Sequence, residues 1–335
     1  MMPRILLTMG DYNGIGPEVI LKTFEKHSFN HVLYIAAGEE SVFNFYRHRF
    51  NLDIEFNLIK NTKEAKKNVL NIINCCDKNL IDVEPGSITR SSGKAAMITL
   101  EKALNICLDM QGDAIVTAPI SKESIQLAGY HYPGHTEFLA EKTDTSDYLM
   151  MLIYKNLRVA LATIHVPISK VSSLISESLI AHKLEILHNS LKFNFNISKP
   201  DIAVLGLNPH AGDGGVIGKE ELEIIVPALN KANDNSICVS GPYSADGFFG
   251  SGDYKKYDAI LAMYHDQGLI PFKTLSFGKG VNFTAGIPVI RTSPDHGTAF
   301  NIAGMNKANY HSFTSAVELA IELIINQNKS AVINE

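Results

Sequence analysis

Apolar and polar positions along this chain follow two periods by turns. Short apolar runs at Arg4–Met9, Val32–Ala37, Ala114–Thr117, Val159–Ile164, Ile202–Leu207 and Ala259–Met263 read as buried strands. Between them lie segments whose apolar residues recur at helical spacing: Pro17–Lys26, Glu40–His48, Ser92–Met110, Ile180–Leu191, Glu220–Lys231 and Ser312–Asn326. In Ser92–Met110 the apolar set is Ala95, Ala96, Ile98, Leu100, Ala103, Leu104 and Cys107, which predicts one face against a core. Alternation of this kind predicts an α/β fold with a mostly parallel or mixed sheet. No linker or repeat marks a domain boundary.

In open α/β sheets ligands gather beyond the carboxyl ends of strands. The turns TAPISK (117–122), ATIHVP (162–167), LNPHAG (207–212), AMYHDQG (262–268) and VIRTSPDHGTAF (289–300) all follow apolar runs, as loops feeding one cleft would. Three of them carry a histidine: His165, His210 and His265. A lone loop histidine has many uses. Three imidazoles in the same strand-then-turn context can converge on one divalent ion and leave a coordination position open, as a catalytic metal requires.

Other segments add candidates. GDYNGIGPE (10–18) is a glycine-rich turn entering a helix at Pro17, and suggests either backbone approach to a ligand or a purely structural turn. No G-x-G-x-x-G occurs. GGVIGKEE (214–221) fails as a phosphate loop: Asp213 stands where the first glycine belongs, and Glu220 follows Gly-Lys. In GHTEFLA (134–140) a helix start would put His135 and Thr136 where N–H groups suit a phosphate or carboxylate, or would simply be capped. Lys273, Asn282 and Arg291 form a plausible anion clamp, and Arg291 follows the apolar Ile287–Ile290. Asp246 and Asp266 are candidate acids, bases or carboxylates that orient an imidazole.

Bulk properties narrow the classes. The chain has 335 residues, 45% hydrophobic and 19% charged, with formal net charge −5. That length suggests two domains or one large one. No basic stretch interleaved with aromatics appears, so nucleic acid is not expected as a partner. The apolar runs break well short of the roughly 20 residues that span a bilayer, so no membrane is expected either. Cys75, Cys76, Cys107 and Cys238 form no C-x-x-C pair and predict reduced thiols in a cytoplasmic protein, with Cys107 in the core.

GDYNGIGPE, TAPISK, GHTEFLAE, ATIHVPI, LNPHAGDGG with GKEE, GPYSADGFF, YDAILAMYHDQGLIPFK and GVNFTAGIPVIRTSPDHGTAF together resemble the 4-hydroxythreonine-4-phosphate dehydrogenase family of pyridoxal phosphate (vitamin B6) biosynthesis. The resemblance runs in order over nearly the whole chain. It implies two α/β/α domains of the isopropylmalate dehydrogenase-like type around a central cleft, without the ordinary Rossmann fingerprint. The implied division is 1–125 plus 286–335 as the cofactor-side domain, and 126–285 as the domain of metal, substrate and dimerisation.

By the same resemblance His165, His210 and His265 hold a divalent metal in a site shared across a homodimer. Zinc stands first, with cobalt, nickel, manganese or magnesium as alternatives. His135, Thr136, Lys273, Asn282 and Arg291 match substrate-contacting positions. Asp295, His296, Gly297, Thr298 and Asn301 lie in DHGTAFNIAG (295–304), which looks like an NAD (or NADP) loop; Asn301 stands where the family commonly has Glu or Asp. The implied reaction is oxidation of 4-phosphooxy-L-threonine at C3, then decarboxylation to 3-amino-2-oxopropyl phosphate. Asp246, Asp266 and Lys273 all remain candidates for proton transfer. Alternatives are a dehydrogenase of phosphorylated threonate or erythronate, or of a dihydrodiol carboxylate, and more remotely a non-catalytic metal- and nucleotide-binding protein.

Overall fold

The computed structural model of the chain describes residues 2–27 and 31–333. Two compact units result: one takes the chain to Ser146 and again over Ile287–Ile324, the other takes Asp147–Gly286 and the turns from Ile325 onward. The expected first boundary at 125 therefore moves to Ser146. The reason is the helix His135–Lys142, whose Phe138 and Leu139 are buried among Leu6, Ile35, Met97 and Leu100 of the first unit.

In the first unit the strands run in the order Phe56–Leu58, Leu70–Asn74, Leu33–Gly38, Arg4–Thr8, Ala114–Thr117, Arg291–Pro294. Their pairings are all parallel. Parallel neighbours need crossover helices on the sheet faces, so the strands are apolar on both sides. Ile5, Leu6 and Leu7 are accordingly buried, and the crossovers are Gly16–Lys26, Glu40–Phe50 and Arg90–Leu108. The last starts at Thr89, whose hydroxyl accepts from the Ser92 N–H, and buries Ala95, Leu100, Ala103 and Leu104, the face its periodicity predicts. Cys107 packs against that core, and burial pushes its thiol up to about 12.

In the second unit the order is Val281–Ala285, Leu149–Tyr154, Leu157–Leu161, Ala259–Ala262, Asp201–Leu205, Cys238–Tyr243. The first two pairings are antiparallel and the rest parallel. Leu157–Leu161, Ala259–Ala262 and Asp201–Leu205 are thus neighbours pointing the same way, and the turn leaving each carries one of the three histidines.

One expected helix is split. Glu220–Lys231 folds as a wide π turn over Glu221–Ile225, followed by an α-helix over Val226–Asp234. Pro227 lacks an N–H and its ring would crowd the Glu223 carbonyl in a regular α-helix, a conflict that the wider π turn relieves. Among the described residues no helix is long and apolar enough to cross a membrane.

Candidate active site

His265 is the first residue of the helix His265–Ser276, which leaves the strand Ala259–Ala262 after a short turn. Its Nδ1 lies 2.7 Å from Asp266 Oδ1. A carboxylate only accepts, so this contact puts the proton on Nδ1 and leaves the Nε2 lone pair available. The ring centroid of His165 is 5.8 Å away. Both imidazoles and Asp266 line a hollow of about 290 Å³, with Tyr264 and the apolar Ile168 on its wall.

His210 reaches the same sheet edge by an unusual route. Residues 210 to 214 all have left-handed backbone, with φ of 53, 50, 80, 45 and 64°. Gly212 and Gly214 take that conformation readily. Ala211 does not, at roughly 1–2 kcal/mol, and His210 and Asp213 take it less readily than glycine, so the surrounding structure must hold them there. Asp246, in the short helix Ala245–Gly250, is exposed. The Ser244 hydroxyl donating at 2.6 Å, the Gly247 N–H and the charge of His210 hold its carboxyl below the usual range.

Three imidazoles at three neighbouring strand ends suit a divalent ion in donor type and in placement. They are not gathered into a ligand set: among the described residues no three His, Cys, Asp or Glu side chains stand close enough together to hold a metal. Lys273 is exposed two turns down the same helix, roughly 12 Å along its axis from His265. Asn282 lies on Val281–Ala285 opposite Leu152, and its buried Oδ1 has no hydrogen-bond partner among the described residues.

The first unit holds a drier constellation. Arg291 is 2% exposed. It pairs with Ile115 on the neighbouring strand, which sets Thr117 on the same face; the guanidinium donates to Thr117 Oγ1 from Nε at 3.2 Å and Nη2 at 2.8 Å. Burial lowers its pKa to about 10, so the group stays charged at neutral pH. His135 begins the helix His135–Lys142, with Thr136 next to it. Burial and the charge of Arg291 push the His135 imidazole well below its ordinary 6.5, and its Nε2 has no hydrogen-bond partner among the described residues. A buried guanidinium beside a neutral imidazole is a site for an anionic group.

The loop from Asp295 to Asn301 belongs to this unit. Gly297 has no protein atom within 4 Å of where a Cβ would stand. His296 donates from Nδ1 to Gly297 O at 3.1 Å, while its buried Nε2 has no hydrogen-bond partner among the described residues. Open space beside an orphaned polar atom fits a bound dinucleotide. Asn301 is exposed, and the Asp295 N–H is held by Ser312 Oγ at 3.0 Å. Thr298 O accepts from the Ile15 N–H at 3.0 Å.

That contact settles the glycine-rich segment 10–18. Its glycines face the chain's own backbone: a Cβ would stand 2.3 Å from Pro119 O at Gly10, 2.8 Å from Thr298 O at Gly14 and 2.3 Å from Met9 O at Gly16. The segment buttresses the 298 loop through these close backbone contacts, and residues 10–18 are all buried, which favours the structural reading of the two. Sequence reasoning also passed over Thr117 as the partner of Arg291, and over Asn208, Glu220 and Glu221, which hold the His210 turn. The GKEE motif was the available signal for the last two.

Residues 30–320 match the family model described as pyridoxal phosphate biosynthetic protein PdxA. A curated relative from Bacteroides thetaiotaomicron, named 4-hydroxythreonine-4-phosphate dehydrogenase, is 45% identical over 328 residues, covering 97% of this chain and 90% of the relative. The crystal structure of 4-hydroxythreonine-4-phosphate dehydrogenase from Klebsiella pneumoniae superposes with a TM-score of 0.87 at 35% identity, covering 96% of this chain and 99% of that one. A terephthalate 1,2-cis-dihydrodiol dehydrogenase from Burkholderia xenovorans gives a TM-score of 0.66 at 26% identity, covering 96% and 98%.

Proposed function

This chain belongs to the PdxA family of pyridoxal phosphate biosynthetic proteins, and from that premise we propose that it oxidises 4-phosphooxy-L-threonine at C3 in an NAD- and divalent-metal-dependent reaction. The observation that carries the chemistry is the set of histidine turns leaving three neighbouring parallel strands. His165, His210 and His265 would hold the ion, which when bound lowers the pKa of a coordinated hydroxyl. The dinucleotide, which when bound accepts the hydride, would lie along Asp295, His296, Gly297, Thr298 and Asn301; the open space at Gly297 supports that choice.

The chain's own groups have separable tasks. Asp266 fixes the His265 tautomer and ring. Arg291 neutralises an anionic end of the substrate, and His135 stays uncharged beside it, so the two groups do not repel. Thr136, Lys273 and Asn282 complete the polar contacts. Asp246, held ionised by Ser244, is the carboxylate we assign to proton movement near His210. Oxidation at C3 yields a β-keto acid, and loss of CO2 leaves 3-amino-2-oxopropyl phosphate.

The active form is a homodimer. Ile168, Val216 and Ile270, at 76%, 82% and 64% exposed, each follow one of the histidines within six residues and support burial of these turns by a second copy.

The likeness to the dihydrodiol dehydrogenase favours one second reading, a dihydrodiol carboxylate as substrate. NADH formation with equal concentrations of 4-phosphooxy-L-threonine, phosphothreonate, phosphoerythronate and a cis-dihydrodiol carboxylate separates them. We expect the first to dominate kcat/KM. A higher value with the dihydrodiol would replace the proposal.

A further inference from the structure

We infer that Glu221 is a positioning residue: its buried carboxylate holds the left-handed turn at 210–214 and thereby sets where the His210 imidazole stands. This rests on the assignment of His210 as a metal ligand under Proposed function.

Glu221 is 2% exposed and forms no ion pair with any described residue. A buried carboxylate without a cation persists only where N–H donors replace its water. Here Oε1 accepts from the Leu207 N–H at 2.8 Å and the Asn208 N–H at 2.7 Å, and Oε2 accepts from Asn208 Nδ2 at 3.0 Å. All three donors sit just before His210, so they fix the entry to the turn. Its middle is fixed by packing: a Cβ on Gly212 would stand 2.6 Å from Glu221 Oε2.

Glu220 extends the brace. Its Oε2 accepts from Asn208 Nδ2 at 2.8 Å, and its Oε1 accepts from Ser172 Oγ at 2.7 Å. Ser172 lies on the helix Ile168–Leu174, which follows the His165 turn directly. Two histidine turns are therefore tied through Ser172, Glu220 and Asn208, and Glu221 anchors the tie to the protein interior. The Glu221 oxygens are occupied by these donors, which assigns the residue to holding the turn and not to binding an ion. The strained backbone at His210, Ala211 and Asp213 has no local reason to persist once that anchor is lost.

The test uses full-length protein stripped of metal and titrated with Co2+, read by the visible d–d bands and by metal affinity. Unfolding curves of the metal-free proteins check that each variant is folded. Glu221→Ala should weaken Co2+ binding about ten- to a hundredfold and alter the band positions. Glu221→Gln keeps one accepting oxygen for both backbone N–H groups and should fall between that variant and wild type. Should Glu221→Ala not fold, Glu221→Gln and Asn208→Ala carry the test, each with a weaker and spectrally altered site. Loss of binding in His210→Ala, with wild-type affinity and bands in the folded Glu221 and Asn208 variants, would overturn this inference alone. Wild-type binding in His210→Ala would overturn the ligand assignment and this inference with it.

Discussion

The Arg291 clamp and the histidine turns are made in opposite ways. Arg291 is buried, hydrogen-bonded to Thr117 and set beside an imidazole that burial keeps neutral. His165 and His210 are exposed, and the three histidines are not gathered. The desolvation of the guanidinium is met when the chain folds, so an arriving anion finds a rigid partner in a low dielectric, where each contact is strong. The imidazoles of His165 and His210 stand in water, so removing either takes little packing with it. Damage should therefore split by region: loss of chemistry with little loss of stability at the histidines, and loss of both at the clamp.

The largest expected effect is at the histidines. His165→Ala, His210→Ala and His265→Ala should each lower kcat by on the order of a thousandfold, since Lewis-acid stabilisation is worth several kcal/mol. The unfolding free energy of the metal-free variants should move by only about 0.5 kcal/mol at the exposed His165. Steady-state rates with metal content by mass spectrometry check this. A variant with near-normal rate and unchanged metal content would remove its histidine from the ligand set.

Arg291→Met comes next and should show the other pattern. A charge-assisted hydrogen bond is worth roughly 1.5–3 kcal/mol, so substrate affinity should fall about ten- to a hundredfold, with less change in NAD affinity. Lys273→Ala, at an exposed position, should cost less. The clamp also has a pH signature. His135 is neutral in the folded chain with its pKa well below 6.5, so the unfolded chain binds the extra proton. Stability is therefore lost as pH falls below 6.5, down towards the folded value. Removing the Arg291 charge raises the His135 pKa, and the pH dependence below 6.5 should flatten. Imidazole NMR of His135 and denaturant melts across that range measure both. An unmoved His135 titration would show that Arg291 does not act on it.

The two regions were also unequally legible in the sequence. The histidine turns announced themselves, because an apolar run followed by a Pro or Gly turn is a local pattern. That their three strands are neighbours was not readable, since strand pairing is non-local. The same holds for the helix His135–Lys142, whose Phe138 and Leu139 gave no sign of which unit would bury them. Arg291 was marked by the apolar residues before it, but Thr117 carries no signal until the strands are paired. At 210–214 the glycines suggest a turn, whereas Ala211 gives no hint of left-handed backbone; the Glu221 contacts with Leu207 and Asn208 that we infer to hold it become visible only in the fold. The glycines of 10–18 were visible as a tight turn, and only their contacts with Pro119, Thr298 and Met9 showed what they approach.

Whether His165, His210 and His265 hold a catalytic ion is decided by turnover of metal-stripped protein. NADH formation from 4-phosphooxy-L-threonine is followed before and after adding back Zn2+, Co2+, Ni2+, Mn2+ or Mg2+ singly. We expect no turnover in the stripped protein and recovery with at least one ion, with the His165→Ala protein failing to recover. Full turnover by protein that mass spectrometry shows to hold no metal would contradict it.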